Sequence, residues 1–242
     1  MGSDGVISGA SAFSSEHQGF NLLNVKYLLY EKAPVDIPSN PNSYVKIEDV
    51  YFCREHVYQP MEPGSRLNVA ANGAMASELV LVTTMANSTH VEDGAAVLQI
   101  RLHTKDGRVI ERELQAGRDT AEWAYDKPDV RAAIKHGRPK VAESDPAEGF
   151  NANRYLARLP FDRTEIERIE INYALPDASV VIMRASLFDA ATATSTPLEA
   201  IDFHPTRWRS LANFGNIFVL ENLLARPRAW FVRRAMIMPT AD

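Results

Sequence analysis

The chain has 242 residues, 45% of them hydrophobic, which fits one large domain with a substantial core or one domain with a small partner. Its formal net charge of -5, with no dense run of Lys and Arg, argues against nucleic acid and against an anionic lipid surface as partners. The single cysteine, Cys53, excludes an internal disulfide and a cysteine-based zinc site.

Apolar and polar residues alternate with a period of two through most of the chain, a pattern that predicts β-strands with one face on a core. The first strand signal covers residues 22–30, and three prolines, Pro34, Pro38 and Pro41, then predict a linker. Residues 79–84 are rich in apolar side chains, which predicts a central and more deeply buried strand.

Residues 98–103 show the clearest alternation. Leu98, Ile100 and Leu102 are predicted to face the core, and the polar residues between them are predicted to face solvent. The glycine of the Asp106-Gly107 pair tolerates the positive φ of a tight turn, so a hairpin is predicted with the strand that follows.

One short helix is predicted for residues 129–136, with Asp129 as its N-terminal cap and Gly137 as a left-handed C-terminal stop. The polar residues 144–149 that follow it predict an exposed loop.

The strand pattern resumes at residues 168–173 and continues, after a turn, in the apolar residues 179–187, a second candidate for a central strand. An Ala/Thr/Ser stretch at residues 190–197 predicts a second linker. The last strand signals cover residues 216–220 and 229–232, and we expect them to pair with the first strand of the chain.

These elements predict a mainly β fold, a two-layer antiparallel β-sandwich in residues 44–197. The pattern resembles the jelly-roll sandwiches of galactose-binding-like and carbohydrate-binding modules. Residues 1–43 and 198–242 are expected to form a small α/β unit from the two chain termini. No apolar run approaches the roughly 20 residues that cross a bilayer, so no membrane span is predicted within the sequence.

Polar and aromatic residues concentrate in the connection that follows the predicted hairpin. A pyranose has one C–H face and a ring of hydroxyl groups, so a sugar site needs a flat apolar platform with polar groups beside it. Trp123 or Tyr125 can supply the platform, and the polar groups can come from Asp119, Glu122 and His136. In the alternative interpretation, Trp123 anchors the core and the charged residues are solvated.

Asp119 and Glu122 also raise the alternative of a glycan-active hydrolase, which needs an acid and a base about 5–10 Å apart across a cleft. With 31 acidic residues, a pair of this kind is expected by chance. The six histidines lack the spacing of a metal site, and no nucleophile elbow, P-loop or dinucleotide-binding glycine pattern is present. We therefore expect no catalytic residue, metal or cofactor in this chain.

The two ends of the chain carry motifs that occur together elsewhere. LLNVKYLL stands at residues 22–29 and FVLENLLARPRAWFV at residues 218–232, with Trp208-Arg209 before the second motif. This pair resembles two strands in the extracytoplasmic part of bacterial polytopic membrane proteins of the YfhO type. The chain departs from that family at Leu220, where tyrosine is usual, and at Arg226, where leucine is usual.

Members of that family are similar to glycosyltransferases of the C-superfamily, which use lipid-linked sugar donors. The resemblance implies a non-catalytic extracytoplasmic module, on the periplasmic or cell-surface face of a bacterial membrane. Its partners would be a glycan or lipid-linked sugar and the membrane-embedded part of the same parent chain. The matched residues Asn222, Pro227 and Arg228 are expected to have a structural role. A scaffold that docks another envelope protein is a further alternative, which an exposed apolar patch would favour.

Overall fold

A computed structural model describes residues 25–31, 43–203, 208–214 and 217–225 of the chain. The chain divides into two compact units, one of Met1–Lys32 with Thr206–Asp242 and one of Ala33–Pro205. The second boundary lies beyond the predicted residue 198, because Leu198 pairs with Ala185 inside the larger unit. Among the described residues, no helix is long and apolar enough to cross a membrane.

Strands are the predominant elements in the described residues of the larger unit. The described strands of the chain are β1 (Tyr27–Glu31), β2 (Tyr44–Ile47), β3 (Val50–Cys53), β4 (Gln59–Met61), β5 (Arg66–Ala86), β6 (Ala96–Thr104), β7 (Val109–Gln115), β8 (Val141–Ala147), β9 (Phe150–Tyr173), β10 (Ser179–Asp189), β11 (Thr194–Leu198), β12 (Trp208–Phe214) and β13 (Ile217–Asn222). One α-helix, α1 (Pro128–Ala133), and a 3-10 helix (Ala200–Phe203) complete the described elements.

Eight strands of the larger unit form one antiparallel sheet. Its order is β11-β10-β5-β9-β6-β7, with β4 also paired to β10 and β8 also paired to β9. The long strands β5 and β9 shift register between Ala70 and Ala74 and again between Ala76 and Glu78. On one side of these shifts the sheet continues from β9 into β6, and on the other side it continues from β5 into β10. Such irregularities bend a strand, and the sheet curls at this point.

The curled sheet encloses one main hydrophobic core, to which both of its halves contribute. Leu98 and Ile100 from β6 belong to the same buried cluster as Ile182 and Leu187 from β10. Fully burying an aliphatic side chain of this size stabilises the fold by about 1.5–3 kcal/mol relative to leaving it exposed. The predicted mainly β, antiparallel sandwich is confirmed, with one continuous curled sheet in place of two separate sheets.

A second buried cluster lies on the opposite face of β5 and β10. The hairpin of β2 and β3 covers this face, where Val50 and Phe52 pack with Val80, Val82 and Met183. The second half of β5 and most of β10 are therefore buried on both faces, as their high apolar content predicted. The prediction that Leu98, Ile100 and Leu102 of β6 face the core is confirmed. The predicted turn after β6 is also confirmed, and Gly107 has a φ of 85° there.

The predicted short helix is present, but its ends and two other local predictions were wrong. Helix α1 begins at Pro128, with Lys127 as its N-cap and no side-chain cap from Asp129, and it ends at Ala133 before Gly137 is reached. Residues 144–147 belong to strand β8, which forms a hairpin with β9 through the turn at Gly149. Residues 194–197, the second half of the predicted linker at 190–197, belong to β11, because a polar Thr/Ser sequence suffices for an edge strand.

Among the strands that the structure describes, none neighbours the outer side of β7, which ends the strand order of the sheet. Two arginine side chains bind its main chain instead. The Nη1 atom of Arg112 donates to the carbonyl of Glu111 at 2.7 Å, and the Nη2 atom of Arg118 donates to the carbonyl of Glu113 at 3.1 Å. Because unpaired edges template pairing with other chains, we interpret both arginines as protecting this edge.

Replacing both arginines, Arg112→Ala with Arg118→Ala, is expected to cause self-association that increases with protein concentration, measured by sedimentation velocity. The matched control is Arg101→Ala with Arg108→Ala. It removes the same charge from exposed arginines whose hydrogen bonds go to side chains. If the two double variants sediment alike, the protective role of Arg112 and Arg118 is wrong.

The smaller unit contains a three-stranded antiparallel sheet in the order β1-β13-β12. Tyr27 pairs with Glu221, and Trp208 pairs with Asn222, so the predicted pairing of the two chain ends is confirmed for these strands. The residues of this unit that the structure describes form strands and turns without a helix, so α/β character is not shown there. The strand predicted at residues 229–232 and the linker prolines lie outside the described residues.

Candidate functional site

Asp119 lies in the tight connection after β7 and is buried, with 5% of its surface exposed. Its Oδ2 atom accepts a hydrogen bond from the backbone N–H of Gln115 at 2.8 Å and from the Nη2 atom of Arg118 at 2.6 Å. The backbone N–H of Asp119 returns a hydrogen bond to the Gln115 carbonyl at 2.9 Å. This carboxylate therefore holds the connection closed and faces the main chain of its own loop.

Glu122 is also internal, with 4% exposure. The chain around it runs in parallel beside the end of β5, where Met85 donates to the carbonyl of Ala121 and accepts from the N–H of Trp123, both at 2.8 Å. The Oε2 atom of Glu122 accepts from the backbone N–H and the hydroxyl of Ser88, also at 2.8 Å. A buried carboxylate needs such partners. Glu122 thus fixes two loops to each other.

Trp123 is the exposed residue of this segment, with 39% of its surface accessible. Its ring lies 5.5 Å from the ring of Phe150, measured between centroids and tilted by 57°, within the range of a favourable aromatic pair. Its carbonyl accepts a hydrogen bond from the N–H of Asn153 at 2.9 Å, which ties it to the hairpin of β8 and β9. The indole is therefore an exposed aromatic surface on a fixed main chain.

Tyr125 and His136, two of the candidate site residues named from the sequence, are in contact. The Tyr125 hydroxyl donates to the carbonyl of His136 at 3.3 Å, and the two ring centroids lie 6.2 Å apart. His136 is 4% exposed, and its Nδ1 atom is 3.1 Å from the Gly137 carbonyl. Its Nε2 atom is buried and has no hydrogen-bond partner in the part of the chain that the structure describes.

A polar group around Tyr125 and Tyr155 is one that the sequence did not single out. The Oδ2 atom of Asp126 accepts from the Nη2 atom of Arg138 and from the Nδ2 atom of Asn153, both at 2.8 Å. The guanidinium of Arg138 lies 5.9 Å from the centre of the Tyr125 ring. Asp126 directly follows Tyr125, but its two partners lie 12 and 27 residues further along the chain.

The buried side chain of Tyr155, on β9, binds the main chain of the same connection. Its hydroxyl donates to the Glu122 carbonyl at 2.9 Å. Burial raises the pKa of the Tyr155 hydroxyl well above its ordinary value, although the positive charge of Arg138 opposes that shift. The hydroxyl therefore remains a donor across the physiological pH range and keeps the main chain next to Trp123 in place.

The motif residue Asn222 belongs to the smaller unit. Its Oδ1 atom accepts from the N–H of Leu224, and its Nδ2 atom donates to the Val25 carbonyl, both at 3.1 Å. Asn222 thus forms a local turn and joins the two chain ends. Pro227 and Arg228 lie outside the described residues.

Among the described residues, no three His, Cys, Asp or Glu side chains form a group that could hold a metal ion. No family model matches the chain, and no curated protein and no solved structure matches it. The exposed Trp123, paired with Phe150, is therefore the feature of the described residues from which a function is proposed below.

Proposed function

We propose that this chain is a non-catalytic, extracytoplasmic module of a membrane-bound glycosyltransferase-like protein, and that it binds a glycan on the exposed face of Trp123. The observation that carries the glycan proposal is the exposed indole of Trp123, which stands on a hydrogen-bonded main chain and pairs with the ring of Phe150. An aromatic face packs against the C–H face of a sugar, and nearby donors and acceptors bind its hydroxyl groups. The membrane context is proposed from the terminal motifs.

The hydrolase alternative depends on Asp119 and Glu122. Both side chains are buried, and both accept hydrogen bonds from the main chain of neighbouring loops. A glycosidase pair has to face the scissile bond across a cleft. The position of these two carboxylates therefore favours the binding proposal.

The substitution Trp123→Ala tests the proposal, because it removes the platform and leaves the main-chain bonds of residue 123 available. We expect saccharides found on a glycan array to lose at least about tenfold in affinity by calorimetry, as burial of an aromatic surface contributes a few kcal/mol. The control is Tyr58→Ala. Tyr58 is 62% exposed and precedes β4, which pairs with β10 on the side opposite to β5.

The glycan proposal is wrong if no saccharide on the array binds the unmodified protein. It is also wrong if Trp123→Ala and Tyr58→Ala bind as the unmodified protein does. Circular dichroism of each variant establishes that the fold is retained before binding is compared.

A further inference from the structure

We infer that the outer edge of β7 binds an extended peptide as an added strand. The edge selects a strand that places basic side chains opposite Glu111 and Glu113 and an acidic side chain between them. This activity is separate from the proposed glycan binding at Trp123 and uses the main chain of one strand.

The main chain of β7 has free donors along this edge. Glu111 and Glu113 direct their main-chain groups away from β6, because their carbonyls are the ones bound by Arg112 and Arg118. Every second residue of an antiparallel strand has this orientation. The N–H groups of Glu111 and Glu113 have no hydrogen-bond partner among the residues that the structure describes. An added strand supplies the carbonyl oxygens that these two donors need.

The open edge ends where the following loop closes on it. The N–H of Gln115 donates to the carboxylate of Asp119 at 2.8 Å, and the Gln115 carbonyl accepts from the Asp119 N–H at 2.9 Å. The open part is therefore residues 109–113, roughly 17 Å of strand. A partner strand of ordinary length fits along it.

A groove beside this edge gives the added strand a place. Its volume is about 610 Å³, and its lining consists of residues of β7, Arg118, and Leu159 with Pro160 from β9. Proline has no N–H, and the Pro160 carbonyl already accepts from the Nε atom of Arg112 at 2.6 Å. At this point β9 therefore offers an incoming strand little to pair with, and β7 provides the main-chain partners.

The side chains of β7 determine the charge of the partner. Glu111 and Glu113 are exposed on one face of the strand, and Arg112 lies between them on the other face. Glu111 contacts Arg101 of β6 through its Oε1 atom, so its Oε2 atom is available. Opposite charges directly across a strand pair stabilise it, and like charges destabilise it. The order Lys-Glu-Lys opposite residues 111–113 therefore forms three favourable pairs.

The two edge arginines exchange partners when the strand is added. N–H groups of the added strand replace their guanidinium groups at the carbonyls of Glu111 and Glu113. Arg118 retains a carboxylate partner, since its Nε atom is 3.0 Å from both carboxylate oxygens of Asp119. Arg112 gains a carboxylate from the acidic residue in the middle of the added strand. A strand without this acid leaves Arg112 uncompensated, which adds to the selectivity of the edge.

The peptide Thr-Val-Lys-Glu-Lys-Val-Thr, capped at both ends, tests this inference. It reads the same in both directions, so it suits parallel and antiparallel addition. We expect it to bind about tenfold more tightly than Thr-Lys-Val-Glu-Val-Lys-Thr, because three cross-strand pairs contribute together. The two peptides have the same composition and net charge. An NMR titration should give this affinity from the main-chain amide signals of residues 111 and 113.

The charge reversal Glu111→Lys with Glu113→Lys is expected to exchange the preference. This variant should lose about tenfold in affinity for the Lys-Glu-Lys peptide and should bind Thr-Val-Glu-Glu-Glu-Val-Thr, which the unmodified protein rejects. The control is Glu55→Lys with Glu62→Lys. It makes the same change of net charge at exposed glutamates outside β7, and it should bind as the unmodified protein does. Circular dichroism establishes that each variant is folded.

Three results would overturn the inference. The first is equal binding of the two peptides of the same composition, and the second is equal behaviour of the two charge-reversal variants. The third is a sedimentation experiment in which the unmodified protein forms a dimer that the Lys-Glu-Lys peptide does not dissociate, which would assign the edge to a second copy of this chain.

Discussion

Replacing Arg184 with methionine is expected to lower the free energy of unfolding by about 3–5 kcal/mol, the usual effect of removing one partner from a buried ion pair. Arg184 lies on β10 among apolar neighbours, and only 7% of its side chain is exposed. Its Nε atom donates to the Oε1 atom of Glu143 at 3.0 Å. Its Nη1 atom donates to the carbonyls of Cys53 and Arg54. Methionine fills a similar volume but cannot donate a hydrogen bond to any of these acceptors.

Urea or guanidinium unfolding measures this loss, and a double-mutant cycle with Glu143→Gln isolates the contribution of the pair. The double variant is expected to lose less than the sum of the single losses, because each single substitution leaves a partner unpaired. The control is Arg101→Met on β6. Arg101 is half exposed and pairs with Glu111, so Arg101→Met should lower the free energy of unfolding by less than about 1 kcal/mol. Equal losses for Arg184→Met and Arg101→Met would contradict the buried role.

His56 reports on the same cluster. Its Nε2 atom lies 3.4 Å from the Oε2 atom of Glu143. Burial lowers the pKa of His56 below its usual 6.5, and the positive charge of Arg184 lowers it further. A histidine with a lowered folded-state pKa costs stability as the pH falls below 6.5, where the unfolded chain takes up the proton more readily. In Arg184→Met, an NMR titration should show a higher pKa for His56.

The cluster also shows where prediction from sequence reached its limit. The alternation in β6 was predicted correctly, because neighbours along a strand determine which side chains share a face. Arg184 sits in the apolar pattern of β10 as a single exception, and its acceptors come from residues 143, 53 and 54. Nothing in the local sequence identifies such partners, which only the pairing of distant strands brings into contact.

The same reason explains why the candidate site was predicted only in part. Trp123 was identified because an aromatic residue in a polar connection is conspicuous. Carboxylates look alike in a sequence, yet Glu122 is buried against Ser88, 34 residues away, while Asp126 stays partly exposed. Phe150 and Asn153 were missed because the residues before them were assigned to a loop rather than to the hairpin of β8 and β9.

The substitution Gly117→Ala is expected to lower the free energy of unfolding by about 2–5 kcal/mol, the sum of a positive-φ penalty and overpacking. Gly117 has a φ of 79°, and an added Cβ would lie 1.8 Å from the Oδ1 atom of Asp93 and 2.7 Å from the backbone nitrogen of Gly137. That Oδ1 atom accepts a hydrogen bond from the Gly137 N–H at 2.6 Å. The methyl group therefore displaces the contact that joins three connections.

Gly107→Ala is the matched control, because Gly107 has a φ of 85° but no atom within 4 Å of an added Cβ. In the same denaturant unfolding experiment, Gly107→Ala should lower the free energy of unfolding by the positive-φ penalty alone, about 1–2 kcal/mol. Adding Asp93→Ala to Gly117→Ala should recover only part of the loss, since the Gly137 nitrogen still meets the methyl group. Equal losses for Gly117→Ala and Gly107→Ala would show that packing at this junction contributes nothing.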